Sequence, residues 1–250
     1  VVKMTPAMTV PAARRDTTLR RFPLRRHRLP VAGGTLSIVA PAAGPWLHSG
    51  GFSARAARGE EPPYWADVWP ASVALARWSC RRRDLCGKKV LDLGCGLGVA
   101  GAAAAFVGAQ VTFADREAQA LAFATFNGRH NGRDPTQVVA VPHDWFLATL
   151  PGPFDLLLLA DVTYRPVHHA PVLRQVLAGL GHEGIALHCD PFRREADGFL
   201  ALARSRLAMR TFNVDCCFAD QRVPVRIAAL ATSEAALSAW LGARAGAQAS

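Results

Sequence analysis

The chain has 250 residues, half of them hydrophobic, and a formal net charge of +10. That is enough apolar chain to bury a full core, which excludes a disordered protein. The apolar run that follows Phe154 is cut by Asp155 and Asp161. It falls far short of the ~20 residues a membrane-spanning helix needs and reads as a buried central strand.

Residues 1–28 read as a disordered Arg-rich arm carrying Arg14, Arg15, Arg20, Arg21, Arg25, Arg26 and Arg28. Asp16 is the only acid before Glu60, and no apolar signal-peptide core is present. A transit peptide fits this composition, and so does a plain extension, which is the reading preferred here. A second basic block, Arg81-Arg82-Arg83, is likewise expected to be solvated, so the positive charge suits an acidic protein partner as well as nucleic acid. Residues 29–61 read as a small hairpin, with 29–39 alternating around Gly33-Gly34, followed by a loop rich in Gly, Pro, Ala and Arg. Pro70, in the segment Pro63-Tyr64-Trp65-Ala66-Asp67-Val68-Trp69-Pro70, suits the first turn of a helix over 71–82.

From Lys89 onward, strand and helix alternate. Strands are expected at 90–93, 111–114, 138–141, 154–160 and 185–188, and helices at 99–107, 118–127, 167–180 and 195–207. Two final strands, 211–218 and 223–231, close the chain. Such alternation builds a parallel sheet, and the closing pair supplies an antiparallel member. Residues 62–250 are taken as one ligand-binding domain.

Asp92-Leu93-Gly94-Cys95-Gly96-Leu97-Gly98 follows a strand and opens a helix. Glycines there let the backbone turn sharply and approach a ligand. Gly96 to Gly101 also satisfies the dinucleotide pattern GxGxxG, which on its own is a weak signal. An acid beside a pyrophosphate site would repel its ligand, whereas Asp92 favours a cationic one such as S-adenosylmethionine. Asp115, at the end of the second strand, suits ribose hydroxyls. Asp144, after the third, suits an adenine amino group with Trp145 beside it, or alternatively a helix N-cap. Asp92, Asp115, Asp144 and Asp161 all fall at expected C-terminal strand ends, the edge at which open α/β sheets bind ligands.

The six cysteines show no zinc-ribbon spacing and no CxxC, and read as thiols of a reducing compartment. His168-His169 lacks a third ligand at sensible spacing, so no metal is expected, and His143 and His188 read as structural.

The glycine loop, Asp115 and Asp161-Val162-Thr163-Tyr164 together resemble the seven-β-strand class I methyltransferases of the DxxY lysine methyltransferase group. The Pro63-to-Pro70 segment and Asp190-Pro191-Phe192-Arg193 are similar to the branch that methylates the electron-transfer flavoprotein beta subunit. In that branch an acid-Pro-Gly-Arg run is usual, and Phe192 stands here in the glycine position. The resemblance implies a Rossmann-like seven-stranded sheet flanked by helices, in the order 3-2-1-4-5-7-6 with strand 7 antiparallel. It implies S-adenosyl-L-methionine held by Asp92, Gly94, Gly96, Asp115 and Asp144, with Trp69 lining the site. It implies that Asp161 and Tyr164 face the acceptor. The expected activity is N-methylation of lysine in a protein by a monomer, in a bacterial cytoplasm or a mitochondrial matrix. Competing readings are a small-amine or RNA methyltransferase, an NAD-binding oxidoreductase and a non-catalytic binding module. The Asp161-Val162-Thr163-Tyr164 run differs from the Asn/Asp-Pro-Pro-Tyr/Phe type associated with exocyclic base amines.

Overall fold

Strand pairing begins at β1 (Leu24–Val31), which turns back through Gly33 into β2 (Gly34–Pro41) as an antiparallel ribbon. The structure is a computed structural model that describes residues 19–42, 62–218 and 220–242. The hairpin therefore starts five residues before the expected boundary at 29. Its first strand hides behind arginines because its register is not set by its own apolar side chains. Two asparagines one helical turn apart, on a helix named below, act as a surrogate strand for β2. Val39 N–H donates to Asn127 Oδ1 at 2.8 Å, and Asn127 Nδ2 returns to the Val39 carbonyl at 2.9 Å. Asn131 repeats the exchange with Ser37. Residues 1–18 of the expected arm and 43–61 of the expected loop lie outside the described residues.

A short 3-10 turn, Tyr64–Ala66, leads into α1 (Pro70–Cys80), whose first residue needs no N–H donor. The main sheet is built from β3 (Lys89–Leu93), β4 (Gln110–Asp115), β5 (Val138–Pro142), β6 (Phe154–Ala160), β7 (Leu180–Asp190), β8 (Ala208–Phe218) and β9 (Gln221–Ala231). Its spatial order is β5-β4-β3-β6-β7-β9-β8, the expected 3-2-1-4-5-7-6, and β9 alone runs antiparallel to its neighbours. The helices are α2 (Val99–Phe106), α3 (Ala118–Asn131), α4 (Pro166–Gly179), α5 (Ala196–Arg204) and α6 (Glu234–Gly242).

The leucine run of β6 is unbroken because both faces of the strand are covered. Leu156 and Leu158 join the core under α1, α2 and α3, while Leu157 and Leu159 join the core under α4 and α5. No described helix is long and apolar enough to cross a membrane.

Two features depart from the sequence reading. Arg82, expected to be solvated, is buried, with its guanidinium 4.9 Å from the ring centres of both Trp78 and Trp240 and bonded to the Trp240 carbonyl at 2.9 Å. Its partner Trp240 sits on α6, a helix the strand–helix pattern did not anticipate. Ser233 opens it, accepting the Ala236 N–H at its hydroxyl, and Leu237 and Trp240 bury its inner face.

Candidate active site

The C-terminal ends of β3, β4, β5 and β6 frame a cleft of about 910 Å³, open mouth included. Between β3 and α2 the chain makes a loop with positive φ at Gly94, Gly96 and Gly98. At Gly94 the requirement is double: φ is 64°, and an added Cβ would lie 2.8 Å from Val162 Cγ1 and 3.0 Å from Trp145 Cζ3. The loop is tied to the neighbouring strand, since the N–H groups of Gly94 and Cys95 both donate to the Ala114 carbonyl.

Asp115 closes β4 and braces the loop. Its Oδ2 accepts the Gly96 N–H and its Oδ1 the Glu117 N–H, each at 2.9 Å. Each oxygen keeps a further lone pair, so the carboxylate still has acceptor capacity toward the cleft. Burial raises its pKa above the usual carboxylate range, against the pull of those two N–H groups. Asp144 accepts the Phe146 N–H at 2.9 Å, which makes an Asx turn rather than the helix cap that was its alternative. Trp145 stands between Gly94 and the edge-on ring of His168, 5.6 Å away.

Asp92 is placed differently from the others. It is 2% exposed and does not line the cleft; its Oδ2 accepts the Gly101 N–H at 2.8 Å, beneath the loop and inside the first turns of α2. Burial raises its pKa to about 7, offset in part by the Gly101 N–H and reinforced by the nearby Asp115 charge. The last glycine of the GxGxxG match is thus spent on packing: a Cβ on Gly101 would lie 2.3 Å from Phe113.

The cleft is also lined by the end of β6 and the loop after it, and by the segment before α1. Asp161 adopts φ 56°, and its N–H donates to the Cys189 carbonyl at 2.8 Å. Both of its oxygens are held by the fork of Arg193, Nε to Oδ1 at 2.6 Å and Nη2 to Oδ2 at 2.7 Å. Tyr164 makes edge contacts with Tyr64 and His168, at 5.7 and 5.0 Å between ring centres. Trp69 is pinned by its own indole N–H, which donates to the Tyr64 carbonyl at 2.8 Å. Trp65 lines the cleft yet is chiefly a core residue, packed on Phe22 and Phe123.

The two histidines considered as metal ligands instead brace this loop, His168 Nδ1 on the Val162 carbonyl and His169 Nε2 on the Thr163 carbonyl. His188 is fully buried, with Nε2 2.7 Å from Thr163 Oγ1, and burial takes its pKa down to about 3. Among the described residues no three His, Cys, Asp or Glu side chains gather to hold a metal ion.

Trp69, Gly94, Gly96, Asp115, Asp144, Trp145, Asp161 and Tyr164 therefore share one cleft, and Asp92 supports it from below. Tyr64, Asp67 and His168 also line it and were not foreseen. Arg193 was visible only as the end of the Asp190-Pro191-Phe192-Arg193 run. Phe192, where the family resemblance leads one to expect glycine, adopts a left-handed φ of 56°, and the Arg226 guanidinium lies 5.6 Å from its ring centre.

A sheet of this order with a glycine loop, an acid closing the second strand and a cleft walled in part by Trp69, Trp145 and Tyr164 defines a class I S-adenosylmethionine-dependent methyltransferase. Within that class the chain belongs to the lysine methyltransferase family, which it matches over residues 63–203. It is 36% identical over 158 residues to the zebrafish (Danio rerio) protein N-lysine methyltransferase METTL21A, covering 60% of this chain and 72% of that protein. It is 38% identical over 104 residues to the Rattus norvegicus electron transfer flavoprotein beta subunit lysine methyltransferase, covering 41% of this chain and only 40% of that protein. Two solved structures show the same fold. One is the T. thermophilus 16S rRNA N2 G1207 methyltransferase RsmC, with TM-score 0.55 and 16% identity over 84% of this chain and 51% of that one. The other is the Bradyrhizobium japonicum N-methyltransferase NodS with S-adenosyl-L-homocysteine, with TM-score 0.54 and 16% identity over 74% of this chain and 98% of that one.

The residues fit S-adenosyl-L-methionine, the cofactor of this family. Asp115 offers spare acceptor capacity for a diol, Trp69 and Trp145 offer flat apolar walls, and Asp115 and Asp144 give a cationic ligand negative surroundings.

Proposed function

We propose that this chain methylates the side-chain nitrogen of a lysine in a protein, and that an electron-transfer flavoprotein beta subunit is such a substrate. In this reading Asp115 takes the ribose, Asp144 with Trp145 the adenine, and Gly94 and Gly96 the backbone-facing part of the cofactor, with Trp69 as a wall. Asp92 contributes by fixing the loop through Gly101. Residues 62–250 then act as the cofactor-binding domain.

When bound, S-adenosylmethionine supplies a methyl group already activated on a sulfonium: an N–CH₃ bond forms, the S–CH₃ bond breaks, and the amine's proton goes to solvent. The protein's part is alignment in a water-poor cleft. Free lysine has a pKa near ~10.4, so the acceptor must be delivered as the minority neutral amine. Asp161 orients that amine as a hydrogen-bond acceptor, and Tyr164, set edge-on between Tyr64 and His168, walls the channel through which it enters.

The observation that carries the reading is that Asp161 and Tyr164 line the same cleft as Asp115 and Asp144. One chain supplies all of these lining residues, which supports a monomer. Six free cysteines support a reducing compartment, a bacterial cytoplasm or a mitochondrial matrix. The test is to incubate the protein with labelled S-adenosylmethionine and purified electron-transfer flavoprotein, then map the label by peptide mass spectrometry. Methylated lysine on the beta subunit is expected. An unlabelled beta subunit beside labelled lysines in other proteins would replace the substrate and keep the chemistry.

A further inference from the structure

Asp161 lines the cleft with its charge already taken. The residue is 8% exposed, and among the described residues its ion-pair partner is Arg193, bound through both forks at 2.6 and 2.7 Å. The arginine is itself fixed. Its backbone N–H donates to Asp190 Oδ1 at 2.8 Å, and Asp190 is held from the far side by Arg226 Nε at 3.1 Å and Nη2 at 3.2 Å. The register explains the encounter: Ala160 of β6 pairs with Cys189 of β7, so the residues that follow these two parallel strands emerge side by side.

A bare carboxylate at this position would work against the reaction. It would bind the lysine ammonium and raise the pKa of the amine, although only the neutral form attacks. We infer that Arg193 is a positioning residue that neutralises Asp161, so that the carboxylate orients the acceptor lysine without holding its proton. Arginine suits the task because its planar fork matches a carboxylate and its guanidinium does not deprotonate in proteins. The remaining charged and titratable groups around Asp161 are Asp190 and Cys189 from the end of β7, Arg226 from β9, and His168 from α4. Tyr164 comes from its own loop, Glu195 from beside Arg193, and Tyr64 and Asp67 line the same cleft. Of these, Arg193 alone forks onto Asp161.

This inference rests on the reading of Asp161 as the acceptor-facing residue. Its test is the pH dependence of kcat and KM for a lysine-bearing protein substrate, in the full-length enzyme and in Arg193→Gln and Arg193→Lys, with cofactor affinity measured alongside. In Arg193→Gln the rising limb of kcat should move to higher pH by about one unit, as an uncompensated neighbouring charge does. Near neutral pH kcat should then fall roughly tenfold while KM falls or holds, and at high pH the rate should recover. Arg193→Lys should keep the wild-type limb, and cofactor affinity should be unchanged in both. A uniform loss of rate at all pH values in Arg193→Gln, with the limb in place, would make Arg193 a mere brace and overturn the inference. Should Arg193→Gln not fold, Arg193→Lys decides: an alkaline shift, or a loss not recovered by the retained charge, also overturns it. A wild-type enzyme that labels no lysine at all would instead remove the reading on which the inference rests.

Discussion

Replacing Gly94 with alanine separates the backbone demand of the glycine loop from its role in shaping the cleft. At φ 64° a side chain costs about 1–2 kcal/mol. The new Cβ would also press on Val162 Cγ1 at 2.8 Å and on the Trp145 ring at 3.0 and 3.2 Å. Val162 is buried on the short loop that carries Asp161, so it has little room to yield, and overpacking of this kind costs ~1–3 kcal/mol. The total is roughly 2–5 kcal/mol, or about 5–15 °C in Tm for a chain of this size. Gly87 is the internal control: φ is 76°, but nothing lies within 4 Å of its added Cβ. Gly87→Ala should cost only about 1–2 kcal/mol, and the unfolded-state effect of exchanging glycine for alanine is common to both variants. Thermal unfolding with circular dichroism and titration with S-adenosylmethionine read the two quantities. Gly94→Ala should be the less stable of the pair and the only one to bind cofactor at least ~10-fold more weakly, about 1.4 kcal/mol. Equal Tm losses with unaltered affinity in both would show that Gly94 meets a backbone requirement and nothing more.

Asp161→Asn keeps the shape and suits a left-handed φ, so methyl transfer should drop by at least ~100-fold, about 2.7 kcal/mol, with cofactor affinity retained; parallel loss of both would make Asp161 a cofactor-binding residue. Asp92 has a folded pKa of about 7, above its unfolded value, so its contribution to stability is fully present below the unfolded pKa of ~3.9 and is lost as pH rises through about 7. Between those values the cofactor-free protein should gain stability on acidification, and Asp92→Asn, which can still accept the Gly101 N–H, should flatten that dependence; an unchanged slope in denaturation curves across this range would remove Asp92 as its source. Arg82→Ala should cost about 2–4 kcal/mol by leaving Trp78 and Trp240 without the cation between them and the Trp240 carbonyl without its donor, and limited proteolysis should then cut near α6 first. A Tm within a degree or so of wild type would mean that α6 docks independently of Arg82.

The strand–helix alternation and the glycine loop were legible because periodicity and glycine spacing are local signals, whereas the sheet order came only from the family resemblance. The leucine run of β6 pointed to a strand covered on both faces, and Leu156 to Leu159 do alternate between two cores. The first strand of the hairpin was expected from 29 instead of 24 because the asparagine side chains that template its partner come from Asn127 and Asn131, far along the chain. Arg82 looks like its neighbours Arg81 and Arg83 in sequence, and only the packing of Trp240 distinguishes it. The start of α6 had a usable signal in Ser233 followed by apolar residues at 236, 237 and 240. Eight of the nine expected site residues line the cleft, because strand ends converge in any sheet of this order. Which way Asp92 points within its strand is a question of pleat, and the strand puts it behind the loop. The Asp161–Arg193 pair depends on the β6–β7 register, a relation between segments 32 positions apart that no local pattern carries.

The central claim, methyl transfer to protein lysine through Asp161, is tested most directly by incubating the enzyme and its Asp161→Asn variant with tritiated S-adenosylmethionine and a heat-treated cell lysate. Discrete protease-sensitive bands on a gel, with label recovered as methyl-lysine after hydrolysis and lost in the variant, are the predicted result. Label confined to a nuclease-sensitive or small-molecule fraction would contradict it.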